Sequence, residues 1–87
     1  MRETIGVLKM QPNIRVFSKP DCPYCVQAKQ LLDNKGYTYA EFVIGEDMTK
    51  EEFVEAFPKV KTVPFIIVGN NQVGGYKQLL EFFGEDI

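Results

Sequence analysis

Two cysteines stand two residues apart in Cys22-Pro23-Tyr24-Cys25, and the chain of 87 residues has no other cysteine, no histidine and no tryptophan. A thiolate attacks the sulfur of a disulfide, and a second thiol within reach can expel the first product by closing an internal disulfide. That is the chemistry this pair offers. The missing histidines remove a Cys-His protease, and two thiols without imidazole cannot complete a tetrahedral zinc set within the chain. The plainer alternative, two small buried hydrophobes, leaves the spacing unexplained.

The flanking residues position the pair. Upstream, Ile14-Arg15-Val16-Phe17 is a short β-leaning run closed by the turn formers Ser18-Lys19-Pro20-Asp21. Downstream, Val26 to Asn34 has neither Gly nor Pro, carries Ala28, Leu31 and Leu32 at helical spacing, and is stopped by Gly36. The spacing predicts a strand over 14–17 and a helix over 23–34. Cys22 then falls at the helix start, where unpaired N–H groups and the helix dipole favour a negative sulfur. Pro23 suits the first turn because its missing N–H had no helical partner to lose. Cys25, one turn further in, faces the packed side. Cys22 is thus the attacking thiolate and Cys25 the resolving thiol.

The rest of the chain reads in the same way. Tyr37 to Val43 alternates and is rich in β-formers, so it predicts a second strand. Gly45-Glu46-Asp47 breaks it, and Thr49 with Glu52 has the spacing of a capping box. Phe53, Ala56, Phe57 and Val60 form an amphipathic stripe that Pro58 should end near Phe57. Phe65-Ile66-Ile67-Val68 fits a central strand buried on both faces. Gly69-Asn70-Asn71 is a tight turn before a returning strand at Gln72-Val73, and Tyr76, Leu79, Leu80 and Phe83 give a closing helix. The order β-α-β-α-β-β-α predicts an α/β fold, a four-stranded mixed sheet with three helices flanking both faces. Residues 1–13 are read as a short leader in which Thr4 to Leu8 could add a strand, and residues 14–87 as one domain.

Composition sets the outer bounds. With 45% hydrophobic and 25% charged residues the chain is an ordinary globular one, of a size that buries roughly 60% of its unfolded surface. A net charge of −2 and a pI near 5.0 argue against nucleic acid as the main partner. No stretch approaches the ~20 apolar residues that span a bilayer, and Gly6-Val7-Leu8 is too short for a signal-peptide core. A reducing, cytoplasmic setting is therefore expected. A monomer is expected too, because packing the three helices uses the long apolar stripes.

Cys-Pro-Tyr-Cys after the first strand, Thr62-Val63-Pro64 before the third and Gly74-Gly75 after the fourth, taken in this order, resemble the glutaredoxins of the thioredoxin superfamily. The likeness covers about residues 13–84 and is nearest the short glutaredoxins of bacteria and phages. It implies a thioredoxin-like fold and a thiol-disulfide oxidoreductase that takes glutathione as co-substrate and holds no permanent cofactor. Position by position it implies Cys22 as nucleophile, Cys25 as resolving thiol and Tyr24 as an aromatic lining of the groove. Lys19 would help the thiol ionise and meet a glutathione carboxylate; Lys61 is a second lysine that could take a substrate role, although surface lysines are usually only solvated. Thr62-Val63-Pro64 would hold a cis proline and pair the Val63 backbone with the bound peptide. Gly74-Gly75 would let the backbone approach the γ-glutamyl end, and Tyr76 is counted with the glutathione-binding residues, although the spacing of Tyr76 and Phe83 is also that of a core stripe.

The resemblance has departures. Where many members place an acid after the glycine pair, this chain has Tyr76-Lys77-Gln78, which leaves the γ-glutamyl ammonium to backbone carbonyls or Gln78, and Phe65 follows the proline where a polar residue is common. The implied clients are disulfide-bearing proteins, ribonucleotide reductase among those the family commonly serves. Two rival readings stand beside this one. One is a thioredoxin-like donor recharged by a flavoprotein reductase, although the Trp-Cys-Gly-Pro-Cys of thioredoxins is absent. The other is a module that holds an iron-sulfur cluster between two copies, which Pro23 and the second cysteine disfavour.

Overall fold

The computed structural model describes residues 11–84. The strand expected between Thr4 and Leu8 lies outside the described residues. Within them the elements follow the expected order: β1 (Ile14–Ser18), α1 (Pro23–Asn34), β2 (Ala40–Val43), α2 (Lys50–Ala56), β3 (Phe65–Val68), β4 (Asn71–Gly74) and α3 (Tyr76–Phe82). The strands form one mixed sheet in the order β2-β1-β3-β4. β1 runs parallel to β2, with Val16 opposite Glu41, and antiparallel to β3, which turns back on itself through β4.

Alternation along β1 and β3 sorts the core into two kinds. On one face Ile14, Val16, Ile66 and Val68 pack with Ala28 and Leu32 of α1 and Leu79 of α3. On the other, Phe17, Phe65 and Ile67 pack with Phe53 of α2, and Phe42, Phe57, Val60 and Val63 close around them. All four residues of β3 are buried, as its unbroken apolar run predicted.

Local chemistry sets the helix ends. α1 closes as the glycine stop predicted: Gly36 turns into the left-handed region (φ 80°), its N–H donates to the Asp33 carbonyl, and the Tyr37 N–H donates to the Leu32 carbonyl, both at 3.0 Å. α2 opens on the predicted capping box. The Glu52 N–H donates to Thr49 Oγ1 at 3.0 Å and the Thr49 N–H donates to Glu52 Oε1 at 2.8 Å.

Two expectations need correction. The second strand is shorter than 37–43, because the Gln11 side chain takes the ladder's place at Thr38: the Thr38 N–H donates to Gln11 Oε1 and Gln11 Nε2 donates to the Thr38 carbonyl, both at 2.9 Å. In the second stripe Ala56 is exposed; Phe53 and Phe57 carry the apolar face, and Val60 packs from beyond the helix end.

Candidate functional site

Cys22 is the N-cap of α1. Its backbone is extended (φ −123°, ψ 98°), Pro23 opens the helix behind it, and the Cys25 N–H donates to Cys22 Sγ at 3.2 Å. A helix-start amide thus points at the sulfur where negative charge would develop. Asp21, just before it, sits in the left-handed region (φ 55°), which aspartate tolerates better than most residues and which swings the chain from β1 into α1. Cys22 and Cys25 are joined as a disulfide with their Cα atoms 5.2 Å apart. Cys22 is 8% exposed and Cys25 only 1%, so an incoming sulfur reaches the first before the second.

The Val63–Pro64 bond is cis, and the Val63 carbonyl oxygen lies 3.9 Å from Cys22 Sγ. Beside this loop is a hollow of about 270 Å³ lined by Tyr24, Thr62, Val63, Pro64, Gly75 and Tyr76, with Lys77 at its edge. Tyr24 is 62% exposed, and its ring stacks on Tyr76 with centroids 6.1 Å apart. Gly74 has φ 116°, and a Cβ on it would come within 3.2 Å of Gln78 Cγ. The Gly75 N–H donates to Gln78 Oε1 at 3.0 Å, so this oxygen, one of the acceptors considered for an incoming ammonium, is already engaged at the start of α3.

The opposite side of Cys22 opens on a cleft of about 760 Å³ whose walls include Cys25, Ser18, Lys29 and Glu41. Here Ser18 Oγ and Lys29 Nζ both donate to Glu41 Oε2 at 2.7 Å. The hydrogen bond from Lys29, then the one from Ser18, holds the Glu41 carboxyl below its usual range, against the opposing effect of partial burial. Burial, with the Asp33 and Glu41 carboxylates nearby, pushes the Tyr39 phenol up.

The structure therefore brings Tyr24, Thr62, Val63, Pro64, Gly75 and Tyr76 around one hollow, with Gly74 beside Gly75; Cys22 Sγ lies 3.9 Å from the Val63 carbonyl oxygen that borders it, and both cysteines line the cleft on the other side. Lys19 and Lys61 are exposed and meet in a third hollow, of about 390 Å³, on the α2 side of Thr62 and Val63. Sequence reading missed the Ser18-Lys29-Glu41 group and took Ser18 for a turn residue, whereas it ends β1 and is 1% exposed. One signal was available: Glu41 alternates with Tyr39 onto the face that α1 covers, where a charge needs a partner. Among the described residues no cluster of three His, Cys, Asp or Glu could hold a metal ion, and no helix is long and apolar enough to cross a membrane.

The glutaredoxin family model matches residues 14–73. The chain is 39% identical over 70 residues to glutaredoxin 1 of Rickettsia conorii, covering 78% of this chain and 69% of that protein. It is also 39% identical over 75 residues to the hybrid peroxiredoxin hyPrx5 of Haemophilus influenzae; the match takes in 86% of this chain but only 31% of that longer protein. Among solved structures, glutaredoxin 1 of Francisella tularensis complexed with cacodylate superposes with a TM-score of 0.74 at 22% identity, covering 84% of this chain and 93% of that one, a likeness of fold.

Proposed function

The chain belongs to the glutaredoxin family and is a thiol-disulfide oxidoreductase; from that premise we propose that it is recharged by glutathione and reduces protein disulfides and glutathione mixed disulfides. In the reduced protein the Cys22 thiolate attacks one sulfur of the substrate disulfide. The substrate S–S bond breaks, the departing sulfur takes up a proton, and Cys22 is left in a mixed disulfide. Cys25 then gives up its proton and attacks the Cys22 sulfur, which releases the second thiol and leaves the Cys22–Cys25 disulfide. One glutathione thiolate opens that disulfide at Cys22 and a second removes the first as glutathione disulfide, so two electrons enter for each substrate reduced.

The observation that carries the thiol chemistry of this reading is the Cys25 N–H at 3.2 Å from the Cys22 sulfur, beside an open cleft that Cys22 lines. It supports a thiolate that is stabilised yet reachable. In the same reading glutathione lies extended along the Val63 backbone, flanked by Tyr24, Thr62, Pro64 and Tyr76. Gly74 and Gly75 admit its γ-glutamyl end, and Lys19 and Lys61 meet its glycine carboxylate. The protein acts as a monomer in the reducing cytoplasm, where its thiols are kept available.

Reduction of hydroxyethyl disulfide in the presence of glutathione, NADPH and glutathione reductase tests it. Wild type should turn over. Cys22→Ser should fall by about three orders of magnitude or more, and Cys25→Ser should keep activity on glutathione mixed disulfides while losing it on protein disulfides. A wild type that is idle with glutathione but active with a thioredoxin reductase would replace the proposed reductant. The absence of a carboxylate among the residues lining the Tyr24-Tyr76 hollow makes that comparison necessary.

A further inference from the structure

The cis-proline loop divides two hollows that share Thr62 and Val63. The first carries Lys77 at its edge. The second has an apolar floor that includes Phe53 and Val60, with Lys19, Lys50 and Lys61 around it. Together they hold four of the ten basic residues of the chain and none of its twelve acidic ones. The cleft on the other side of Cys22 is mixed, with Asp21, Glu41 and Glu46 beside Lys19 and Lys29. A chain of net charge −2 thus presents a cationic, partly apolar strip along the loop nearest its attacking sulfur. Val54, 46% exposed, continues the apolar floor outward.

We infer that this strip selects protein substrates whose disulfide is preceded or followed by an extended acidic segment bearing an apolar side chain. The acidic groups meet Lys19, Lys50, Lys61 and Lys77, and the apolar side chain enters the hollow over Phe53 and Val60. Complementary charge acts first on encounter and on the choice between partners, and is screened by salt. The inference rests on the disulfide-reducing activity proposed above and extends it from the reacting sulfur to the segment around it. Lys50, at the start of α2, separates the two levels because it has no part in the glutathione site.

The test is a single turnover that needs no glutathione. Pre-reduced protein is mixed with either of two peptides that carry the same internal Cys-x-x-Cys disulfide. One peptide is flanked by Asp and Glu around a leucine, the other by Lys around the same leucine, and the rate constant for oxidation of the protein is read. The acidic peptide should react about tenfold faster at low ionic strength, and the preference should collapse in about 1 M salt, where the screening length is about 3 Å. Lys50→Glu should slow the acidic peptide about fivefold and leave oxidation by hydroxyethyl disulfide unchanged. Equal rates for the two peptides at low salt, or a Lys50→Glu protein that keeps the full preference, overturn the inference. Failure of glutathione in the coupled assay would overturn the proposed reductant and leave these rates as they are.

Discussion

On the β2 side of Cys22, Ser18 and Lys29 both donate to one oxygen of Glu41. On the cis-proline side, Lys50, Lys61 and Lys77 make no ion pair within the described residues. The two walls that flank Cys22, one on each side, thus use charge for different ends. Where cation, hydroxyl and carboxylate satisfy one another across β1, α1 and β2, they fix how the helix sits on the strands. Charges left to solvent add little to the fold and remain available to something that arrives. Stability should therefore be sensitive to the first wall and substrate affinity to the second.

The largest effect that would sharpen this contrast is Glu41→Ala. It leaves the buried Ser18 hydroxyl and the Lys29 ammonium without their shared acceptor, and should cost about 2 kcal/mol of stability, read as a shift in the urea midpoint. Turnover in the glutathione assay should stay within about threefold of wild type. A protein of unchanged stability and lost activity would break the comparison. Next is Gly75→Val, on the other wall. The extended backbone there (φ −89°, ψ −165°) sets no left-handed strain against a side chain, but a Cβ would stand 3.2 Å from Gln78 Oε1, which must give slightly. The new methyl groups would occupy the hollow beside Tyr76, so kcat/KM should fall about tenfold, equivalent to about 1.4 kcal/mol, with a smaller change in the urea midpoint.

The smallest effect is one of pH. The Glu41 carboxyl is held below its usual range in the folded protein, so the folded state binds its proton less readily than the unfolded chain does. Its contribution is present above the unfolded value and is lost as pH falls through the folded one. Wild type should therefore lose stability as pH falls through and below the ordinary carboxylate range, and Glu41→Gln should flatten part of that fall. Equal slopes in urea titrations across this range would show that the paired wall does not hold the fold through charge.

The helix over 23–34 and the strand over 65–68 were legible in the sequence because each carries its own signals within a few residues: Pro23 and Gly36 bracket one, and an apolar run between turn formers marks the other. The cysteine pair was legible for the same reason. What escaped depends on residues far apart in the chain. Gln11 replaces the strand ladder at Thr38 from 27 positions away, and Ser18 meets Glu41 from 23. Nothing local distinguishes Lys29 from its solvated neighbours until β2 is laid beside β1. The stacking of Tyr24 on Tyr76 was hidden likewise, since it joins the first turns of two separate helices.

Because Cys22 is the cap of α1 and, in the proposed mechanism, also the attacking sulfur, the stability of a helix and the electron affinity of a disulfide become linked quantities. The Cys25 amide bonds a disulfide sulfur weakly and a thiolate more strongly, so reduction tightens the cap. In a cycle of folding and reduction, whatever the cap gains appears twice: as extra stability of the reduced protein, and as a rise in the potential of the folded couple over the unfolded one. For two electrons, each 1.4 kcal/mol or so gained in this way corresponds to about 30 mV. Changes to the first turn of α1 thus set how strongly the protein oxidises or reduces its partners, even where they touch neither sulfur.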